Sequence, residues 1–463
     1  MMQRLLTKYG LALHIACICL FPLCFLGQSR VFGFVPLFWL SLIAIEWAIL
    51  LPSICRGETL ADARQRVSRA FWRDPFLYVG ITLIGLVGAQ SFNSGCELSY
   101  LPDTDVWQLS PPPFPWAMFS VEQGAALAQL AVFAACLTAG LILRVAVGKM
   151  AKRVFLQVLS GISGAFALVC IEAARRGDEP WVSLVSGAET SGAGFYFGFW
   201  LLVGMGLFAD AFVDRKRARV LLFAVCILGN LLGLLWFASP LTIAICVCAA
   251  IVLFIYWLAY LSKLVSKAAQ FSLFLCTVVS VSAIVLGVTL FSPNPISIKM
   301  GDAWPMTEYW NEMSVRNDVR VKAAMEIWEI YPWAGVGADG FYHTVGLTVE
   351  PDEWTAIEKD RAYVYNDGVQ FLCEYGVVGA GVLLTALIIL WWPVCCRMRL
   401  VWETRNQSHL SPIVVSGILA TMLCCLESFT ASPFRSAAVM LSWVCVLASI
   451  PAFLPEKVAK EPS

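Results

Sequence analysis

Long uninterrupted apolar runs separated by short polar stretches dominate this chain. They fall at about 9–26, 32–52, 76–95, 118–143, 154–174, 191–213, 220–237, 240–261, 271–291, 370–392, 411–430 and 436–454. Each is close to the ~20 residues a helix needs to cross a hydrocarbon core of about 30 Å, and none alternates between faces as barrel strands do. The pattern predicts an all-α polytopic membrane protein of about twelve transmembrane helices, in which every backbone hydrogen bond of a span is made within it. The first run lacks a small-residue cleavage site and reads as a structural helix rather than a signal peptide. Composition agrees, with 59% hydrophobic and only 14% charged residues among 463.

Charge then orients the runs. Arg4 and Lys8 precede the first, and basic clusters follow every even-numbered one: Arg56 to Arg73, Lys149 to Arg153, Arg215 to Arg219, Lys263 and Lys267, and Arg397 to Arg405. By the positive-inside rule both termini are expected in the cytoplasm, and loops between odd and even runs face outward. These basic blocks read as orientation signals, so no nucleic acid is expected as a partner. Of the seventeen cysteines only Cys96 falls plainly on the outer side, which leaves no material for a disulfide framework.

The chain therefore divides into a membrane domain at 1–291, a large outer loop at 292–369 and a C-terminal membrane segment at 370–463. Within the loop, "SVRNDVRVKAAMEIWEI" predicts an amphipathic helix capped by Ser314. Val321, Ala324, Met325, Ile327 and Trp328 form its expected apolar face, and Arg316 and Arg320, one turn apart, its polar face. In "YPWAGVGADGF", Gly335, Gly337 and Gly340 permit close backbone approach, but no Gly-Lys-Ser/Thr makes this a phosphate loop. "YNDGVQFLCEYGVVGAG" then sets Asn366, Asp367 and Glu374 at the start of an apolar run. Such groups are costly in a bilayer unless paired or wet. Either they line a wet cavity beneath the loop, or Asn366 and Asp367 cap a helix and Glu374 meets a partner.

An outer face has no nucleotide-sugar supply, so a reaction there needs a donor already activated. A polyprenyl diphosphate-linked glycan qualifies, and arginine suits its diphosphate through planar, bidentate, permanently charged hydrogen bonding. Alternatively, Arg316 and Arg320 simply pair with Asp318, Glu326 or lipid headgroups.

"RNDVRVKAAMEIWEIYPWAGVGADGFY" and Asn366 followed by Gly376 and Gly379 resemble the O-antigen ligase family of bacterial membrane glycosyltransferases, which includes related polymerases. The resemblance implies a C-type glycosyltransferase-like fold in the bacterial inner membrane, with a helical periplasmic loop between spans nine and ten acting as a lid. It implies transfer of a glycan from a polyprenyl diphosphate carrier to an acceptor hydroxyl on lipid A core, a lipid-linked repeat or another surface molecule. Arg320 and Arg316 would hold the diphosphate, with Gly337 close to the substrate, and Tyr365, Asn366 and Asp367 would position the acceptor. No metal or cofactor is expected, because arginines can carry the leaving diphosphate.

Two departures bear on this. The family's loop histidine is Tyr365 here, a poor base at neutral pH, so that His343 folding back or Asp367 would have to serve. A family Ser-Arg pair aligns with Ser239-Pro240, leaving Arg175 or Arg176 to replace the missing cation. A polymerase differs only in its acceptor. A non-catalytic scaffold is the rival of another class. A transporter fits less well, because the spans carry few ionisable residues beyond Glu46, Glu122 and Asp210 and show no inverted repeat.

Overall fold

A computed structural model describes residues 2–25, 30–50, 52, 58–94, 96, 98–101, 106–110, 112–114, 117–176, 190–214, 217–261, 319–349, 353, 363–403, 410–429 and 431–454. The apolar run at 271–291, Ser314 and Arg316 lie outside them. The described chain is helical apart from one short hairpin.

The apolar runs become helices: α1 (Met2–Phe25), α2 (Arg30–Leu50), α4 (Pro75–Phe92), α5 (Gln123–Val145), α6 (Lys149–Arg176), α7 (Thr190–Val213), α8 (Arg217–Phe237) and α9 (Pro240–Leu261), then α12 (Asp367–Glu403), α13 (Pro412–Glu427) and α14 (Ala437–Ser449). Seven helices among the described residues are long and apolar enough to cross a membrane, and four shorter ones are apolar too. Trp39, Leu221, Leu222 and Ile255 point outward, as lipid-facing side chains of a membrane protein do.

Between the long helices lie smaller pieces. The basic segment after α2 forms an amphipathic helix, α3 (Leu60–Arg73), which the charge pattern alone did not predict. Thr59 and Asp62 close a capping box at its start, and Ala63 and Val67 face inward. Between α4 and α5, β1 (Leu98–Leu101) pairs antiparallel with β2 (Val106–Leu109). The large loop contributes α10 (319–330) and the short α11 (Gly340–Thr344).

Two apolar cores result. The larger joins side chains of the bundle from Leu11 on α1 to Leu454 after α14. The smaller lies at one end: Cys96, Leu109 and Phe119 of the segment between α4 and α5 pack with Ala324, Ile327, Val336, Phe341, Val364 and Cys373. The two loop segments thus share one core, which seats α10 against the start of α12. Within the bundle, buried Asn230 ties α8 to α6 by accepting from the Ser163 hydroxyl at 2.7 Å and donating to the Ser160 carbonyl at 3.3 Å. A buried amide satisfied in this way fixes how the helices meet.

Candidate functional site

The site is built around a break in α12. Gly376 has φ 63° and ψ −171°, outside any helical conformation, within an otherwise continuous helix. The carbonyls and N–H groups freed by the break must find other partners. The glycine-rich stretch supplies them: Val336 N–H donates to the Cys373 carbonyl at 3.1 Å and Gly337 N–H to the Glu374 carbonyl at 2.8 Å. In return Val377 N–H donates to the Pro332 carbonyl at 2.9 Å and Val378 N–H to that of Trp333 at 3.2 Å. The loop is stitched into the helix by backbone, and these four bonds answer groups that the break in α12 exposes. Gly376 therefore opens the helix for the loop.

Polar residues at the ends of neighbouring helices hold the wedge. Gln90 near the end of α4 donates to the Ala334 carbonyl at 2.8 Å, and Val121 N–H donates to the Val336 carbonyl at 3.1 Å. Asn93 holds the segment between α4 and α5 through the Phe114 and Met118 carbonyls at 2.9 and 3.0 Å. Gln90 and Asn93 were not singled out from the sequence, although "GAQSFNS" does place polar groups at the close of an apolar run.

Three charged residues clamp the same region. Arg435, in the turn before α14, donates to Glu374 Oε2 at 2.8 Å and also pairs with Asp339. Glu374 is fully buried, and its other oxygen accepts from Gln370 Nε2 at 3.0 Å. Pairing, not a wet cavity, accommodates this carboxylate. Arg435 is accordingly committed to two carboxylates, from the glycine loop and from α12.

Arg320 lies above the start of α12. It was expected on a polar face of α10, but it is 4% exposed and shares the buried face with Ala323, Ala324 and Ile327. Positions 320, 323, 324 and 327 follow the i, i+3, i+4, i+7 stripe that a core-facing helix presents. The guanidinium carbon stands 4.5 Å from the centre of the Tyr365 ring, a cation–π contact. Tyr365 adopts φ 57°, a left-handed backbone that non-glycine residues rarely take. Such strain persists only where surrounding structure imposes it, and here it places the phenol ring against Arg320.

The next two residues start α12. Asn366 Oδ1 accepts from Val369 N–H at 3.1 Å, which makes it the helix cap. Asp367 is 3% exposed, and its Oδ2 accepts from Phe434 N–H at 3.1 Å. Asn366→Ala is expected to lower stability by about 1 kcal/mol, read as a lower thermal midpoint in detergent with α12 otherwise intact. An unchanged midpoint would show that the cap contributes nothing.

The remaining candidates lie apart from this pair. His343 on α11 meets Glu122 at 2.7 Å instead of folding back to Tyr365. Arg176 at the end of α6 pairs with Glu172 of its own helix at 2.9 Å, and Arg175 beside it is exposed. Ser239 caps α9 by accepting from Thr242 N–H at 3.1 Å. Gly337 makes its close approach to Ser120, whose atoms lie 2.4 to 2.6 Å from where a Cβ would stand. Cys96 is buried, and burial pushes its thiol pKa up, so it is a packing residue and not a reactive thiol.

The arrangement offers one arginine held by an aromatic ring, a phenol and a carboxylate at a helix start, all at one end of the bundle. No protein-family model matches the chain, and no curated protein matches it.

Proposed function

We propose that this protein transfers a glycan from a polyprenyl diphosphate carrier to an acceptor hydroxyl at the outer face of a bacterial inner membrane. The reading places about twelve spans in that membrane, with both termini in the cytoplasm and the 292–369 loop in the periplasm. The observation that carries it is the contact of Arg320 with Tyr365. These are the positions at which the resemblance sets the donor's phosphate-binding cation and the residue beside the acceptor.

In the proposed reaction the acceptor oxygen bonds to the anomeric carbon while the bond from that carbon to the diphosphate oxygen breaks. The electron pair leaves with the diphosphate, and Arg320, with Arg316, stabilises the charge that develops there. The hydroxyl proton passes to a carboxylate. Asp367 is the candidate, since its Oδ1 has no hydrogen-bond partner among the described residues. Tyr365 orients the acceptor through its own hydroxyl.

A second reading has its own support. The buried Arg435 clamp and the seating of Arg320 in the loop core also suit a rigid, non-catalytic scaffold of an envelope-polysaccharide complex. Release of polyprenyl diphosphate that depends on acceptor separates the two. Arg320→Ala should slow that release by about a hundredfold, the scale of losing one preorganised donor. Arg320→Lys should recover part of it, because lysine keeps the charge and loses the fork. Release unaffected by Arg320→Ala in folded protein would end the glycosyltransferase reading at this site.

A further inference from the structure

A second polar assembly sits at the opposite end of the same helices. Helix α4 leads from its N-cap Asp74 to Gln90 and its C-cap Asn93, α5 from its N-cap Glu122 to Arg144, and α12 from Asp367 past Arg397. An 18-residue helix such as α4 spans about 27 Å, so the far end is well removed from Arg320. There a cavity of about 600 Å³ is lined by Arg144, Lys149, Lys152, Arg397 and Asp74. Its volume falls within the range of small-molecule sites.

Among the described residues its charges are unbalanced: Asp74 is the one carboxylate of the lining, and Arg144 engages both its oxygens at 2.8 and 3.1 Å. Arg397 donates from Nη1 to the Pro451 carbonyl, which uses one of its N–H groups and leaves the charge in place. Lys152 is 6% exposed, and no carboxylate among the described residues forms an ion pair with it. Arg397 and Arg144, both cations, bear on its ammonium. A buried ammonium facing like charges is costly unless an anion joins it. Lys149, the first residue of α6, lines the cavity, so the positive end of that helix dipole adds to its potential.

We infer that this cavity binds a phosphate-bearing anion. Lys152 and Lys149 hold the phosphate oxygens as point charges, and Arg397 adds directed donors from α12. Apolar surface from Pro393, Pro451 and Leu454 continues the wall, which suits a phosphodiester attached to a lipid. Basic pockets between membrane helices on the cytoplasmic side are where anionic headgroups settle. The site stands independently of the reaction proposed for Arg320.

The test uses the full-length protein. Wild type, Lys152→Met, Lys149→Gln and Lys152→Arg are each placed in nanodiscs of phosphatidylcholine alone or with phosphatidylglycerol, and bound lipid is read by native mass spectrometry after transfer to detergent. Inorganic phosphate is titrated against the phosphatidylcholine samples with thermal unfolding as readout. Selective retention of phosphatidylglycerol is expected. It should fall about tenfold in Lys152→Met and about fivefold in Lys149→Gln, and persist in Lys152→Arg. Lys149 is exposed, so its variant reports on the site even if the buried substitution disturbs folding. Stabilisation by inorganic phosphate that the same variants lose would equally support the site and identify a free anion as occupant. Retention and phosphate response that are absent, or identical in wild type and both charge-removing variants, would overturn the inference.

Discussion

Gly376→Ala is expected to destabilise this protein by about 2–6 kcal/mol, the combined scale of a glycine-only backbone conformation and an overpacked contact. A Cβ at Gly376 would lie 2.3 Å from the Trp333 carbonyl carbon and oxygen and 2.4 Å from the Ala334 nitrogen. Backbone cannot swing aside as a flexible side chain can, so either the loop leaves the break or α12 distorts. Each route disrupts the four backbone hydrogen bonds that join loop and helix. Gly381, five residues along the same helix, has nothing within 4 Å of its added Cβ. Gly381→Ala should therefore be neutral or stabilising by up to about 1 kcal/mol through helix propensity. Thermal unfolding of both variants in detergent decides the matter. Equal midpoints for the two would mean that the loop does not enter the helix.

Arg435→Ala should cost about 3–5 kcal/mol, the scale of breaking a buried ion pair by removing one partner. The pairing exists because Arg435, Asp339 and Glu374 are 11, 12 and 1% exposed and so have little water to turn to. Removing the guanidinium takes from Glu374 and Asp339 the buried cation that the two carboxylates share. Neutralising the carboxylates as well, in Arg435→Met with Glu374→Gln and Asp339→Asn, should restore most of the stability. Unfolding midpoints and protease sensitivity of the 331–344 stretch report both changes. A single variant as stable as wild type would show that the clamp does not hold the loop.

These two features account for much of what a single sequence conceals. Apolar runs located the helices closely: 191–213 against Thr190–Val213, and 240–261 against Pro240–Leu261. Hydropathy measures transfer to lipid, and a span answers to that quantity directly. The break at Gly376 is invisible to it, because "GVVGAG" is as apolar as its neighbours and only tertiary hydrogen bonds make the kink stable. Arg435 is 61 residues from Glu374 and 96 from Asp339, and no local pattern joins them. The face of Arg320 was misjudged because arginine was counted as polar. Its guanidinium is satisfied by an aromatic face as well as by water, and the phenol that supplies this face lies 45 residues further along the chain. Helix α3 could have been found: Thr59, then Asp62, then Ala63 and Val67 on one face, is a capping box followed by an apolar stripe.

The seating of Arg320 beside Tyr365 at the start of a broken helix is where structure and proposed chemistry meet. Glycan transfer in proteoliposomes tests it most directly, with polyprenyl diphosphate-linked oligosaccharide as donor and lipid A core or a second lipid-linked unit as acceptor. Wild type, Arg320→Ala and Tyr365→Phe are compared at equal folded protein. Transfer by wild type and near loss in Arg320→Ala are expected, with the Tyr365→Phe rate reporting what the phenol hydroxyl contributes. Wild-type protein that is folded, binds the lipid donor and transfers nothing to either acceptor would contradict it and leave the scaffold in its place.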